Sequence, residues 1–359
     1  MNLRQLAYIL LDRSGFNAVF RQLNAGKLII LWYHGICDDD FQMLRGFDER
    51  HIPKSLFREQ LTYLKEKGYQ FATMTEGLEL LNQKKDIHKT VVLTFDDGFR
   101  NVIDNAYPIM KELGARGCVY VVSDVLSKQN LLWTDIIEMS VRNHQPGTLK
   151  FNFKGERLEY RLDTQRSYEK AIKDIKAKLR SIPDAQRKEL LNQFPIAAHE
   201  WPHVPKEFRL ADWREIKTLD QTILEVGSHT RHHPDCANLS SPEEFAAELQ
   251  GSKADIEAQM GYTIDHFCYP AGSYDNRVMD YVQKYGYRSA TTIHAGFNDP
   301  HTSVFELRRI PTDENFWAFK ARLSGSFFFV SRLLQWIKGK RHEHCLSDLR
   351  VNPSLLFNQ

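Results

Sequence analysis

The chain has 359 residues, 42% of them hydrophobic and 26% charged, with a formal net charge of +2. That is enough apolar material for one large domain with extensions or for two, and the small net charge excludes a global argument for nucleic-acid binding. Five cysteines without paired spacing argue for a reducing compartment and against a disulfide framework, and no apolar run reaches the roughly 18 residues that a spanning helix needs.

Residues 1–26 carry the run Leu6-Ala7-Tyr8-Ile9-Leu10-Leu11, interrupted by Asp12 and Arg13. With neither a long apolar core nor a small-residue cleavage site, this stretch reads as an amphipathic helix and not as a signal peptide, so a cytoplasmic location is expected. A strand follows over 27–33, ending in His34 and Gly35. Apolar residues at Leu56, Leu61 and Leu64 predict a helix over 53–67, stopped by Gly68. A short strand over 71–73 and a helix over 75–83 come next.

Val91-Val92-Leu93-Thr94-Phe95 then reads as a buried strand. It ends in Asp96, Asp97 and Gly98. Two adjacent carboxylates repel, so burying them requires a cation or a proton. A helix over 101–113 and a strand over 118–122 continue a strand–helix alternation that indicates a parallel α/β sheet or barrel, whose sites lie at the carboxyl ends of strands.

Residues 126–208 break this rhythm. Polar and apolar residues alternate over 148–162 like a hairpin, and 166–180 and 184–193 read as charged helices, together an inserted, mainly helical subdomain. Within it His199-Glu200-Trp201-Pro202-His203 matches the zinc-protease spacing, but that pattern needs a helix. Pro202 restricts Trp201 away from helical angles, so the protease reading is rejected.

A helix over 212–220 restores the alternation. The strand Glu225-Val226-Gly227-Ser228 ends in His229-Thr230-Arg231-His232-His233-Pro234. Histidines three or four apart share one face of a helical turn, so His229 can pair with His232 or with His233. With Asp97 such a pair makes a two-nitrogen, one-oxygen set suited to zinc or another divalent metal. A helix over 242–260, a strand over 266–269, a helix over 276–285 and a strand over 288–293 complete the pattern. In the extension 318–359, Lys320, Arg322, Arg332, Lys338, Lys340 and Arg341 surround Phe327-Phe328-Phe329-Val330 and Leu333-Leu334-Gln335-Trp336-Ile337, with no acid before Glu343. A terminal helix packed on the body is the favoured reading; a basic amphipathic helix on an anionic, inner-leaflet membrane surface is the other.

Thr94-Phe95-Asp96-Asp97-Gly98, His229-Thr230-Arg231-His232-His233-Pro234 and Tyr269-Pro270-Ala271-Gly272, in that order at strand ends, resemble the polysaccharide deacetylase family, carbohydrate esterase family 4 or the NodB homology domain. The resemblance runs from about Ile30 to Arg309 outside the insertion, within a domain expected over 27–317. It implies a distorted (β/α) barrel of about seven parallel strands, with Asp96 as general base and Asp97, His229 and His233 as ligands of zinc, or of cobalt, nickel or iron. It further implies an oxyanion donor in the Tyr269 backbone N–H and substrate contacts at Pro270 and Gly272. His294, with His301 second, is the candidate general acid. Many members carry an arginine two residues before the proline of the third motif; here that position is Cys268, so either another group orients Asp96 or Asp96 is less tightly fixed.

The implied activity is removal of an N-acetyl group from an amino sugar of a cell-surface polysaccharide or its precursor. A deacylase or deformylase of a lipid-linked sugar and a non-catalytic glycan-binding relative are the alternatives. A non-haem iron oxygenase, which uses the same ligand set, would leave Asp96 without a role.

Overall fold

The computed structural model describes residues 3–41, 50–83, 87–128, 130–194, 204–312 and 315–337. Its strands are β1 (Ile29–Tyr33), β2 (Gly35–Cys37), β3 (His51–Pro53), β4 (Gln70–Ala72), β5 (Thr90–Phe95), β6 (Gly117–Val121), β7 (Gly147–Phe153), β8 (Glu156–Leu162), β9 (Leu224–Ser228), β10 (His266–Cys268), β11 (Ser289–Ala295) and β12 (Leu307–Pro311). Seven of them close a parallel ring in the order β1-β12-β11-β10-β9-β6-β5, with β1 also paired to β5. The expected barrel is therefore present, but its membership differs from the sequence reading. β4 lies outside the ring, against residues 90–92 of β5, while β6 takes residues 93–95. β12, which holds two arginines in five residues and so hides its apolar alternation, completes the closure.

Alternation of side chains sorts the strands into an inner and an outer set. Val91, Leu93 and Phe95 pack outward among the helices, in one cluster with Phe57, Leu61 and Met110. Ile30, Val92, Cys118, Tyr120, Cys268 and Leu307 pack against one another inside the ring, with Met74 and Leu81 of the helix Met74–Asn82 also in this cluster. The parity that turns Val92 inward also turns Thr94 and Asp96 inward, at the carboxyl end of β5.

Residues 131–208 hold a separate apolar cluster that includes Trp133, Ile137, Phe151, Ile175 and Phe208. Here the expected hairpin is β7–β8, antiparallel from Gly147–Leu162 to Phe153–Glu156. The helices Trp133–Arg142, Gln165–Arg180 and Asp184–Leu191 pack with it. The zinc-protease-like stretch 199–203 lies outside the described residues.

The amino-terminal segment is two helices, Leu3–Arg13 and Phe16–Leu23, because Gly15 turns the chain at φ 78°. The helix expected over 242–260 carries a π turn at Ala246–Gln250, and that expected over 212–220 is the single turn Trp213–Ile216. The helix Phe316–Ser324 is largely buried, and Ser326–Ile337 follows it. Leu93, fully buried in the outer cluster, is a sensitive probe of this packing: Leu93→Ala is expected to lower unfolding free energy by about 2–5 kcal/mol in urea denaturation.

Candidate active site

Asp96 and Asp97 are both buried, and each faces a different partner. Arg309, on the inner face of β12, donates from Nη1 to Asp96 Oδ1 (2.7 Å) and from Nη2 to Asp96 Oδ2 (2.8 Å). The guanidinium is itself fixed: Nε donates to the Thr292 carbonyl at 2.8 Å, and its centre lies 4.9 Å from the Trp32 ring centroid. Burial alone would raise the Asp96 pKa. The charge and the two hydrogen bonds of Arg309 outweigh it, His229 and His34 act in the same sense, and the carboxyl is held well below the usual carboxylate range. Cys268 Sγ lies 3.6 Å from Asp96 Oδ1. Burial pushes its thiol pKa up, so it stands there as a weak S–H donor. The arginine that position 268 lacks is thus supplied from β12.

Asp97 sits at φ 74° and Gly98 at φ 80°, a left-handed turn that bends the chain immediately after Asp96. The turn aims Asp97 Oδ1 at two imidazoles, 3.6 Å from His229 Nε2 and 3.4 Å from His233 Nε2. Zinc bonds of 2.0–2.1 Å in a tetrahedral set put neighbouring donor atoms about 3.3 Å apart, so these three atoms fit one divalent ion. His229 Nδ1 donates to the Cys268 carbonyl at 2.8 Å, which leaves the Nε2 lone pair free for a metal. Burial lowers the pKa of both histidines and so favours the neutral, ligating form. Arg50 approaches the other oxygen, Asp97 Oδ2, at 3.4 Å, and also meets Asp135 Oδ1 of the insertion at 2.5 Å.

The histidine loop is not the helical turn that the spacing suggests. Thr230 and His233 both adopt left-handed φ, 69° and 57°, strain of the kind found where a site over-determines the backbone. The loop is held from two sides. Glu248 Oε2, within the π turn, accepts the N–H groups of Arg231 (3.1 Å) and His232 (3.0 Å), and the Trp133 indole donates to the His233 carbonyl at 2.8 Å. His232 turns away from Asp97, its ring between Glu248 Oε1 (2.7 Å) and Asp124 Oδ2 (3.1 Å). Of the two pairings open in the sequence, the folded chain brings together His229 and His233.

The third motif departs from expectation. The Tyr269 N–H donates to the Thr291 carbonyl at 3.2 Å, because pairing of β10 with β11 carries on past Cys268. It is a ladder donor and not a free one. In the turn that follows, Gly272 and Ser273 donate to Tyr269 and Pro270, and proline has no N–H, so the Ala271 N–H, at φ 51°, is the one not used within the turn. Gly272 sits at φ 64°, and a Cβ there would lie 2.2 Å from Ile293 Cγ1, so packing alone demands glycine. His294, on β11, lies with Nδ1 3.3 Å from the Tyr274 hydroxyl, which donates to Glu306 at 3.1 Å. His301 is exposed in the following loop.

Sequence reasoning missed Arg309 and gave His34 no place in the site. The signal for Arg309 was its place two residues after Leu307 in an apolar alternation. For His34 it was position: Tyr33 pairs with Phe95, so His34 is level with Asp96 on the neighbouring strand.

With this geometry in view, the relatives are informative. The family model described as polysaccharide deacetylase matches residues 83–290, more than half of the chain and both polar strand ends. The chain belongs to the polysaccharide deacetylase family. YxkH of Bacillus subtilis (strain 168), which carries the same family name, is 30% identical over 133 residues, covering 35% of this chain and 45% of YxkH, so the chain matches about half the length of that curated relative. Among solved structures, the Streptococcus pyogenes deacetylase PplD, in complex with acetate, superposes with TM-score 0.53 at 19% identity over 80% of this chain and 93% of that one. IcaB from Ammonifex degensii gives TM-score 0.53 at 17% identity over 83% and 97%. At these identities the likeness is one of fold, and it matches the closed ring seen in this deacetylase-family chain.

Two outcomes test the site. Arg309→Met leaves a buried carboxylate without its partner and is expected to destabilise the fold by about 3–5 kcal/mol at pH 7. Because Asp96 titrates lower in the folded than in the unfolded chain, its stabilising contribution is full above about pH 4 and fades below it, so the gap between variant and parent in urea denaturation should narrow on acidification. Glu248→Ala, which frees the histidine loop, is expected to weaken zinc binding about 10–100-fold in a chelator competition titration.

Proposed function

We propose that the chain is a divalent-metal-dependent hydrolase that removes the N-acetyl group from an N-acetylated amino sugar of a cell-surface polysaccharide or its precursor. The observation that carries this reading is the convergence of Asp97 Oδ1 with His229 and His233 Nε2 beside an Asp96 locked in its ionised form. Family membership supports the substrate class.

Asp97, His229 and His233 would hold a divalent cation, zinc being the best match to the donor set, and when bound it would supply polarisation of the acetyl carbonyl and acidification of the attacking water. Asp96 is not part of that ligand set, is ionised at neutral pH and takes the proton of the water as its oxygen adds to the carbonyl carbon. Arg309 fixes both carboxylate oxygens, so the base is oriented without rearrangement. The Ala271 N–H is the rim donor available to the oxyanion, in place of the Tyr269 N–H. A protonated histidine then gives its proton to the sugar nitrogen as the C–N bond breaks, which yields acetate and a free amine. Two histidines compete for this last role. His294 is the sequence candidate, oriented by Tyr274; His34 is favoured by its level with Asp96 and by its electrostatic influence on that carboxyl.

The expected result is metal-dependent acetate release from N-acetylglucosamine oligomers. Asp96→Asn should keep its metal and lose about 10²–10⁴-fold in rate, whereas Asp97→Ala and His229→Ala should lose metal and rate together. His34→Asn and His294→Asn, compared side by side, assign the proton donor to the variant that loses the alkaline limb of the pH–rate profile. An unchanged rate in Asp96→Asn refutes the assignment of the base. Metal bound tightly with no acetate released would transfer the reading to a lipid-linked or differently acylated sugar, which the apolar helices at the ends of the chain would suit.

A further inference from the structure

Large hydrophobic side chains stand exposed at six positions among the described residues: Leu6, Leu10, Val19, Leu23, Phe329 and Leu333. All six fall on three helices, Leu3–Arg13, Phe16–Leu23 and Ser326–Ile337. On each helix the two residues are four apart, so they share one face. Singly scattered apolar residues are ordinary on a protein surface, but three outward pairs on adjacent helices form a patch of the kind that marks an interaction surface.

The helices are in contact. The Tyr8 and Phe327 rings lie 6.2 Å apart, and Phe329 lies 5.1 Å from Phe20 and 6.2 Å from Phe16. Their charge is one-sided. Arg13 and Arg332 are exposed among the apolar pairs. The acid among the described side chains of these helices, Asp12, is bonded to Asn17 at 3.1 Å and to Lys320 at 3.3 Å. The sequence from Asn315 to His342 holds Lys320, Arg322, Arg332, Lys338, Lys340 and Arg341 and no Asp or Glu.

From this arrangement we infer that the three helices form a docking face for the surface of an anionic bilayer. Apolar pairs enter the acyl boundary while the flanking arginines meet headgroup phosphates. The contact is peripheral, since no helix among the described residues is long and apolar enough to cross a membrane. A second copy of the chain is the poorer occupant, because it would set the cationic rims of two such faces against each other. The face is joined to the amino-terminal end of the barrel. The helix Phe16–Leu23 leads into β1, and Asn24 Nδ2 donates to the Ser324 carbonyl at 2.9 Å. Asp96 and Asp97 lie at the opposite, carboxyl end, so docking and hydrolysis are separable.

The test is co-sedimentation of the full chain with vesicles of equal parts phosphatidylglycerol and phosphatidylcholine, and with phosphatidylcholine alone. The parent is expected to bind the anionic vesicles and to bind the neutral ones about tenfold less. Leu10→Ser with Leu23→Ser, both at exposed positions, should weaken binding to anionic vesicles by about tenfold or more, with helical content and bound zinc unchanged. Arg13→Gln with Arg332→Gln should weaken binding to anionic vesicles only. Absence of binding by the parent, or equal binding by the Leu10 and Leu23 variant, overturns the inference. So does a parent dimer in sedimentation equilibrium that the same variant disperses while vesicle binding is unmoved, which would assign the face to a second copy.

Discussion

Two carboxylates follow one another at the end of a strand inside a barrel, where water cannot solvate both. The fold meets this repulsion by separating them. Strand parity sends Asp96 inward to a guanidinium that grips both of its oxygens. A left-handed residue at 97 swings the second carboxyl out of register, toward two neutral imidazoles. One acid is thereby gripped through both oxygens by a permanent cation, while the other turns Oδ1 to two uncharged imidazoles and only its Oδ2 toward Arg50, which it shares with Asp135. The two carboxylates are distinguished by what surrounds them and not by residue type.

The same separation explains why the barrel must close. Arg309 reaches Asp96 because β12 sits next to β1, and β1 next to β5. An open sheet that ended at β11 would leave a buried negative charge with no partner, which is among the more costly defects a core can carry. Closure and chemistry are therefore one constraint. On the inner face Ile30, Val92 and Leu307 pack below, and Thr94, Asp96 and Arg309 meet in the last layer.

The insertion takes part in this arrangement instead of standing apart from it. Its Trp133 holds the carbonyl of His233, and its Asp135 shares Arg50 with Asp97. From the opposite side Glu248 accepts two consecutive N–H groups of the histidine loop. A loop with two left-handed non-glycine residues persists only when its surroundings impose it, and these contacts do so. The π turn in the helix that carries Glu248 shifts its register at the point where the carboxylate must reach the loop.

Sequence alone determined what depends on local pattern. The strand–helix alternation, the hairpin that interrupts it and the polar bursts at the ends of β5 and β9 were legible, because apolar runs and adjacent charges announce themselves within about ten residues. What hung on distant partners was not. Spacing by itself left His232 and His233 open beside His229; the resemblance pointed to His233, and the physical reason, Glu248 and Asp124 drawing His232 away, lies in distant partners. The Tyr269 N–H seemed free until β11 was placed beside it. The partner of Asp96 lies more than two hundred residues away, on a strand whose arginines conceal its alternation. Such pairings are decided by ring closure, which no stretch of sequence contains by itself, and so only the tertiary structure could supply them.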